Sequence, residues 1–120
     1  AQALDEQPLR TRVSKETAEA LRRVHAKMLA EPERDWSVEH IAAEVSLSPS
    51  RLHTVYKATF GIAPRQDLIL MRVEKAKALL WGNTSVTETA ALLGYSNVFH
   101  FIRQFQKATG VTPKQYIRQR

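Results

Sequence analysis

Residues 37–45 read SVEHIAAEV and residues 85–93 read SVTETAALL, so the chain repeats one pattern at an offset of 48 residues. The similarity continues downstream at an offset of 49 residues, where four positions of the first copy have a counterpart in the second. Leu52, Tyr56, Gly61 and Pro64 match Phe101, Phe105, Gly110 and Pro113. The second copy therefore holds one extra residue between its two halves. Because a solenoid needs at least three repeats, the pattern predicts one module that is used twice.

Each copy begins with the signals of a short helix. Ser37 and Ser85 are N-caps, and Ser85 with Glu88 fits a capping box. We expect these helices to end after about nine residues. In the second copy the helix is expected to end at Gly94. In the first copy Ser46 takes this position, and its Cβ disfavours the left-handed backbone that a tight turn needs.

A second helix follows in each copy after a tight turn. Its predicted caps are Ser48, which precedes a proline, and Ser96, and its predicted stops are Gly61 and Gly110. Each copy thus predicts two helices that are joined by a short turn, with the second helix ending at a glycine. This pattern is typical of a helix-turn-helix.

Three further helices complete an all-α prediction with seven helices and no strand. A first helix over residues 15–30 is indicated by apolar spacing at Ala18, Leu21, Val24, Met28 and Leu29, and a proline limits it. Residues 65–81 predict a long linker helix, and residues 113–118 a short last one. The predicted organisation is a tail or linker (1–13), a first helix-turn-helix subdomain (14–63), the linker helix (64–82) and a second helix-turn-helix subdomain (83–120).

Helical spacing gives each second helix a core face and an outward face. The expected core faces carry Leu52, Val55, Tyr56 and Thr59 in the first copy and Phe101, Gln104, Phe105 and Ala108 in the second. The outward faces carry Ser50, His53, Thr54 and Lys57, and Phe99, Ile102, Arg103 and Gln106. Arg, Ser, Thr and His suit the base edges of a major groove, whereas lysines suit phosphates. Phe99 and Ile102 either contact thymine methyl groups or pack against the linker helix.

The charge of the chain is unevenly distributed. The 120 residues have the composition of one globular domain, with 43% hydrophobic and 25% charged side chains and a net charge of +6. Residues 1–47 hold seven basic and nine acidic side chains, residues 48–120 hold eleven and three, and no acid follows Glu88. This asymmetry predicts a polyanionic partner. The alternatives are a solubility bias or an anionic membrane, although no segment shows a basic amphipathic face with exposed bulky apolar residues.

Catalysis and cofactor binding find little support in the sequence. There is no Cys, and therefore no thiolate zinc site and no cysteine nucleophile. The histidines, which are His25, His40, His53 and His100, form no metal-ligand spacing, and no glycine-rich phosphate loop is present. The longest apolar runs have four residues and cannot span a bilayer. We expect a soluble intracellular protein with no enzymatic activity, no cofactor and no metal.

Residues 94–116 read GYSNVFHFIRQFQKATGVTPKQY and resemble the signature of the AraC/XylS transcription regulators. That signature is a glycine-aromatic turn, then Phe-x-Arg-x-Phe, a basic residue, Gly-x-x-Pro and an aromatic. The first copy also fits, with LSPSRL at residues 47–52 and GIAP at residues 61–64. The resemblance covers about residues 15–118.

The resemblance implies a homeodomain-like, AraC-type domain with two helix-turn-helix subdomains joined by a long linker helix. Its two second helices enter successive major-groove segments of double-stranded DNA. The base-reading residues carried over from the family are Ser50, His53, Thr54, Val98, Phe99 and Arg103. The residues expected at phosphates are Ser37, Ser48, Arg51, Lys57, Ser85, Ser96, Asn97 and Lys107. Because the two sets of readers differ, the DNA site should be asymmetric, with the DNA either bent or straight.

Partners beyond DNA are also implied by the family. Its members contact RNA polymerase, for which Glu16, Glu19 or the surface of the first helix could serve. Most members carry a separate effector-binding or dimerising domain. We expect either a DNA-binding fragment of a longer regulator, which the acidic start and Pro8 favour, or a small single-domain member. The expected location is cytoplasmic and nucleoid-associated. The alternative function is a helical protein-interaction module that docks a partner through Phe99 and Ile102 and has only non-specific DNA affinity.

Overall fold

The structure, a computed structural model, describes residues 13–120. Seven α-helices and no strand occur in this range, which confirms the all-α prediction. The helices are α1 (Lys15–Ala30), α2 (Val38–Glu44), α3 (Pro49–Phe60), α4 (Pro64–Trp81), α5 (Val86–Leu92), α6 (Val98–Thr109) and α7 (Pro113–Ile117). The predicted tail at residues 1–13 falls almost entirely outside the described residues.

The internal repeat becomes two pairs of helices. α2 and α5 begin 48 residues apart, and α3 and α6 begin 49 residues apart. The extra residue lies in the turn, which comprises residues 45–48 in the first pair and residues 93–97 in the second. α2 and α5 have seven residues, fewer than expected, because Val45 and Leu93 already act as C-caps. Each pair is the helix-turn-helix that the sequence predicts.

Serine side chains cap three of these helices as expected. The Oγ atoms of Ser37, Ser48 and Ser85 accept hydrogen bonds from the backbone N–H three residues on, at 3.1, 3.1 and 3.0 Å. Each bond satisfies one of the amide groups that a helix start leaves without a partner.

The predicted cap of α6 is wrong. The N-cap is Asn97, not Ser96, and its Oδ1 accepts a hydrogen bond from the Phe99 N–H at 2.7 Å. An Asn side chain bonds the amide two residues on more readily than a serine does. The helix therefore begins one residue later than a Ser96 cap would place it.

The turns of the two helix pairs differ at equivalent positions. Gly94 has a φ of +85° and Ser46 a φ of +57°. Only glycine enters this left-handed region without a steric penalty from Cβ. Ser46 therefore carries the penalty that the sequence predicts for it. A Cβ added to Gly94 would also lie 2.4 Å from the carbonyl oxygen of Glu33. Glycine is thus required at position 94 by conformation and by close packing together.

The chain forms two compact units. Among the described residues, the first comprises 13–30 together with Trp36–Asp67, and the second comprises Glu31–Asp35 together with Leu68–Arg120. α4 is therefore shared between them, and the loop that follows α1 belongs to the second unit. The first unit buries Leu21, Val24, Met28, Ile41, Leu52, Val55 and Tyr56, and the second buries Val73, Ala76, Leu80, Leu93, Phe101 and Phe105.

Two residues assigned to core faces, and one residue of the apolar spacing of the first helix, are exposed. Leu29 lies near the end of α1 and is 56% exposed. Thr59 and Ala108 occupy equivalent positions near the ends of α3 and α6, and both are exposed. All three residues lie in the last turn of their helix, where helical spacing overestimates burial. No helix within residues 13–120 is long and apolar enough to cross a membrane.

The loop at residues 31–35 is held in the second unit by side chains of α4. Arg72 donates from Nε to the Pro32 carbonyl at 2.8 Å and from its guanidinium to the Arg34 carbonyl at 3.1 Å. Lys75 Nζ lies 3.0 Å from Glu33 Oε1. A backbone hydrogen bond and the Lys75 ammonium hold the pKa of the Glu33 carboxyl below its ordinary value. These contacts fix the loop against the Gly94 turn.

In the first unit a buried tyrosine ties three helices together. The Tyr56 hydroxyl of α3 donates to Asp67 Oδ2 of α4 at 2.7 Å, and His25 Nε2 of α1 lies 3.1 Å from the same oxygen. The His25 ring stacks on Phe60 with centroids 4.3 Å apart. Burial, and then the bond to the Asp67 carboxylate, raise the pKa of the Tyr56 hydroxyl. His25 is thus a half-buried structural residue of the first helix.

Tyr56→Phe is expected to lower the free energy of unfolding by about 1–2 kcal/mol at neutral pH, because the Asp67 carboxylate loses a hydrogen bond. Since the folded pKa of Tyr56 is raised, its contribution to stability is present below the ordinary tyrosine pKa of about 10 and is lost as the pH rises above it. The destabilisation caused by Y56F should therefore shrink in alkali. Urea unfolding of both proteins at neutral pH and at about pH 11 measures the change. A difference in stability that does not vary with pH would contradict this account.

Candidate nucleic-acid interface

The first recognition surface is the outward face of α3. Ser50, His53 and Lys57 are exposed there, and Thr54 is half-buried. The Thr54 hydroxyl donates to the Ser50 carbonyl at 3.4 Å and still has lone pairs available to an outside donor. The opposite face of the helix supplies buried core residues. The structure therefore brings these four predicted residues together on one exposed surface.

The second recognition surface is the outward face of α6. Phe99 is 65% exposed, and Arg103 and Gln106 are exposed as well. Ile102 is instead half-buried and packs, with Val98, against the core of the second unit, which includes residues of α4. Of the two possibilities open for the apolar pair, Ile102 therefore packs inward, whereas Phe99 remains exposed.

Helical spacing explains this division. Val98, Phe101, Ile102 and Phe105 stand at i, i+3, i+4 and i+7, which is one continuous apolar stripe. The core face of α6 is thus wider than the face assigned from the sequence, and Gln104 lies at its edge. The Gln104 carboxamide accepts a hydrogen bond from the Tyr95 hydroxyl. The roles expected of Val98 and Phe99 at bases stay predictions.

Some lysines outside the two recognition helices are paired with acids, whereas three cations of the recognition helices are not paired within the described part of the chain. Lys27, Lys75 and Lys77 pair with Glu44, Glu33 and Glu74 at 3.4, 3.0 and 3.1 Å. Lys57 on α3, and Arg103 and Lys107 on α6, form no ion pair with residues 13–120. An exposed cation without an acidic neighbour presents its full charge to an outside anion.

Apart from Lys57 and Lys107, the residues expected at phosphates lie at or near the starts of helices. The hydroxyls of Ser37, Ser48 and Ser85 accept capping bonds and keep their protons for a further acceptor. Ser96 and Asn97 are exposed before α6, and Arg51 is half-buried on α3. The contacts of these residues with phosphate stay predictions. Within residues 13–120, no three histidine or acidic side chains are placed to hold a metal ion.

A family model described as a helix-turn-helix domain matches residues 41–119. The match begins within α2 and includes α3, the whole second helix pair and the signature at residues 94–116. The chain belongs to the AraC/XylS family of transcription regulators.

A curated relative resembles about three quarters of the chain. The HTH-type transcriptional regulator MtrA of Neisseria gonorrhoeae is 29% identical over 91 residues, which are 75% of this chain and 30% of MtrA. The chain spans about a quarter to a half of the length of the first curated relatives it matches.

Two solved structures share the AraC/XylS fold seen here. The DNA-binding domain of AdpA, solved in complex with a target DNA, has a TM-score of 0.79 and 29% identity, and the match covers 83% of this chain and 91% of that one. The C-terminal domain of AraT, a response regulator from Geobacillus stearothermophilus, has a TM-score of 0.75 and 32% identity, and covers 91% and 88% of the two chains.

Some features of this AraC/XylS domain were not predicted from the sequence. The contacts of Arg72 and Lys75 join residues about forty positions apart, so no local pattern reveals them. The reciprocal capping box at Thr112 and Gln115 has the spacing of such a box and could have been found. Lys114, two residues after the cap Thr112, lines a groove beside α6. The sequence did not predict this position, because the groove is formed by residues that are distant in sequence.

Proposed function

We propose that the chain binds double-stranded DNA sequence-specifically as part of a transcription regulator. α3 and α6 would lie in successive major-groove segments of one asymmetric site. The observation that carries this proposal is the pairing of two equivalent helices whose outward faces hold unlike polar side chains and cations without acidic partners. The bound DNA in the AdpA structure supports the same use of the fold.

Base recognition is assigned to the exposed side chains of the two helices. Arg103 has the fork of donors that pairs bidentately with guanine, and Phe99 offers an apolar contact to a thymine methyl group. Ser50, His53 and Thr54 supply short donors and acceptors on α3. Because these two sets differ, each helix should prefer a different short DNA sequence, here called a box, and the two boxes should not form a palindrome.

Phosphate contacts would set the position of the domain without reading sequence. We assign this role to Lys57 and Lys107 at the exposed ends of the recognition helices. The capping serines and Asn97 add neutral donors at the helix starts. We also propose that the domain has no enzymatic activity and that it acts at the nucleoid in the cytoplasm. It includes contact with RNA polymerase and, in the whole regulator, a further effector-binding or dimerising domain, which partial coverage of the relatives supports.

Salt dependence and sequence preference together separate specific DNA binding from the alternative of a protein-interaction module with only non-specific DNA affinity. Neutralising phosphates releases counterions, so the logarithm of the binding constant should fall linearly with the logarithm of salt, by about 0.9 for each phosphate contacted. Fluorescence anisotropy of a labelled duplex across a salt series measures this slope. A steep slope is expected. A shallow slope would contradict phosphate contacts, and a steep slope with equal affinity for every duplex would favour the protein-interaction module with only non-specific DNA affinity.

Lys57→Ala is expected to weaken binding to every duplex by the same factor and to reduce the salt slope by about one. The matched control is Lys27→Ala, which removes the same charge from the first unit. Because Lys27 pairs with Glu44, that variant should leave the slope unchanged. A loss confined to one DNA sequence would contradict a phosphate role for Lys57.

A further inference from the structure

Phe99 differs from the other large apolar residues of α6. The core of the second unit takes up the others, which are Val98, Phe101, Ile102 and Phe105. Phe99 is 65% exposed, a larger fraction than that of any other large apolar side chain within residues 13–120. A ligand that contacts the outward face of α6 therefore meets an aromatic ring.

The spacing of Phe99 and Arg103 places both side chains over one short stretch of DNA. The two residues stand four positions apart on α6, so their Cβ atoms are about 5–6 Å from each other on one face of the helix. Successive base pairs of a duplex are stacked about 3.4 Å apart. In zinc fingers, side chains of the recognition helix that are three or four positions apart contact successive bases. The pair should therefore meet two adjacent base pairs in the major groove.

The two side chains recognise different features of a base pair. Arg103 is exposed, makes no ion pair within residues 13–120 and carries the fork of donors that fits guanine O6 and N7. The Phe99 ring has no hydrogen-bonding group, and the apolar feature of the major groove is the C5 methyl group of thymine. 5-Methylcytosine carries the same methyl group at the same ring position, whereas cytosine has only a hydrogen there. A contact with the methyl group thus groups thymine with 5-methylcytosine and separates both from unmodified cytosine.

The charges around Phe99 favour DNA over a partner protein. Arg103 and Lys107 follow it at about one and two helical turns, both are exposed, and neither forms an ion pair within residues 13–120. Protein-interaction sites usually present a contiguous apolar patch of more than a few hundred Å². The outward face of α6 instead presents one large exposed apolar side chain beside cations. A methyl group in a groove whose walls carry phosphates matches both the ring and the cations.

We infer that Phe99 reads a C5 methyl group at the base pair next to the guanine of Arg103, and that binding consequently responds to cytosine methylation. A 5-methylcytosine at this position takes the place of thymine, and an unmodified cytosine does not. The inference rests on the proposed function and deepens it, because it names a DNA modification to which the box of α6 is sensitive.

The test uses duplexes that differ by one methyl group. The starting duplex is the one preferred in selection from a random pool, and the guanine of Arg103 is the position at which Arg103→Ala relaxes specificity. The thymine next to it is replaced by uracil, which lacks only the methyl group, or the base pair is changed to carry cytosine or 5-methylcytosine. The wild type should bind the thymine duplex about 3- to 5-fold more tightly than the uracil duplex, which is the effect of burying one methyl group. The 5-methylcytosine duplex should exceed the cytosine duplex by the same factor.

Phe99→Ala should abolish both differences and retain the preference for the guanine of Arg103. The control is Leu92→Ala, which removes an apolar side chain of α5 that is 51% exposed and should keep both differences. Because Phe99 and Leu92 are both exposed, both variants should fold, which circular dichroism verifies.

Equal binding of the thymine and uracil duplexes by the wild type would overturn the inference, as would a selected box with no thymine next to that guanine. A methyl preference that survives in Phe99→Ala would also overturn it, because another residue would then read the methyl group. Equal affinity of the wild type for the preferred and a scrambled duplex would instead overturn the proposed function. The two failures are therefore distinguishable.

Discussion

Replacing Gly94 by alanine is expected to lower the free energy of unfolding by about 2–5 kcal/mol. The left-handed φ of +85° alone costs an alanine about 1–2 kcal/mol. The new Cβ would lie 2.4 Å from the Glu33 carbonyl oxygen, and displacing packed groups costs about 1–3 kcal/mol more. Because Arg72 and Lys75 hold the loop that contains Glu33, movement of the loop would also strain their contacts.

Gly110→Ala is the matched control for this variant. Gly110 has a φ of +86°, but a Cβ there would meet nothing within 4 Å. Only the conformational cost of about 1–2 kcal/mol is expected. Urea unfolding followed by circular dichroism compares the two variants. Equal losses of stability would show that the 31–35 loop does not press on the Gly94 turn, and would contradict the packing described for the second unit.

Arg103→Ala is expected to weaken binding to the preferred duplex by about 1–3 kcal/mol, or about 5- to 150-fold, and to relax specificity at one base pair. The Arg103 side chain is exposed on α6 and has no ion pair within residues 13–120, so its donors are free for a guanine. Removal of a bidentate contact affects one position of the site and leaves the other positions unchanged. Competition binding with duplexes that carry each base at each position measures both effects.

Arg103→Lys separates base reading from simple charge. A lysine keeps the positive charge but lacks the planar fork that pairs with guanine. The variant should retain the wild-type affinity for scrambled duplex and lose discrimination at the same base pair as Arg103→Ala. If Arg103→Ala weakened all duplexes equally and Arg103→Lys restored them, Arg103 would be a phosphate contact.

The parts of the fold predicted from the sequence are those that depend on local signals. Capping serines, glycines at helix ends and the repeat itself act within a few residues, and they gave helix bounds within about two residues. The outward face of α3 was predicted for the same reason. Its core face holds large apolar residues at strict helical spacing, so the remaining side chains had to point outward.

The features that were missed depend on tertiary packing. The 31–35 loop joins the second unit through Arg72 and Lys75, whose partners are distant in sequence. Ile102 packs inward because the core of the second unit surrounds more of α6 than a single stripe requires. Thr89 is fully buried on α5 where α2 has Ile41, and its hydroxyl has no partner within residues 13–120. A polar residue at a core position gives no signal in a hydrophobic pattern.

The central claim is that one chain reads two unlike boxes with two equivalent helices. Selection from a random duplex pool at moderate salt, with sequencing of the bound fraction, tests it most directly. The account predicts enrichment of two different short boxes about one helical turn, or about 34 Å, apart. Enrichment of a single box would contradict the use of both helices for recognition. Binding with no enriched sequence, abolished by salt, would contradict sequence-specific recognition by this domain.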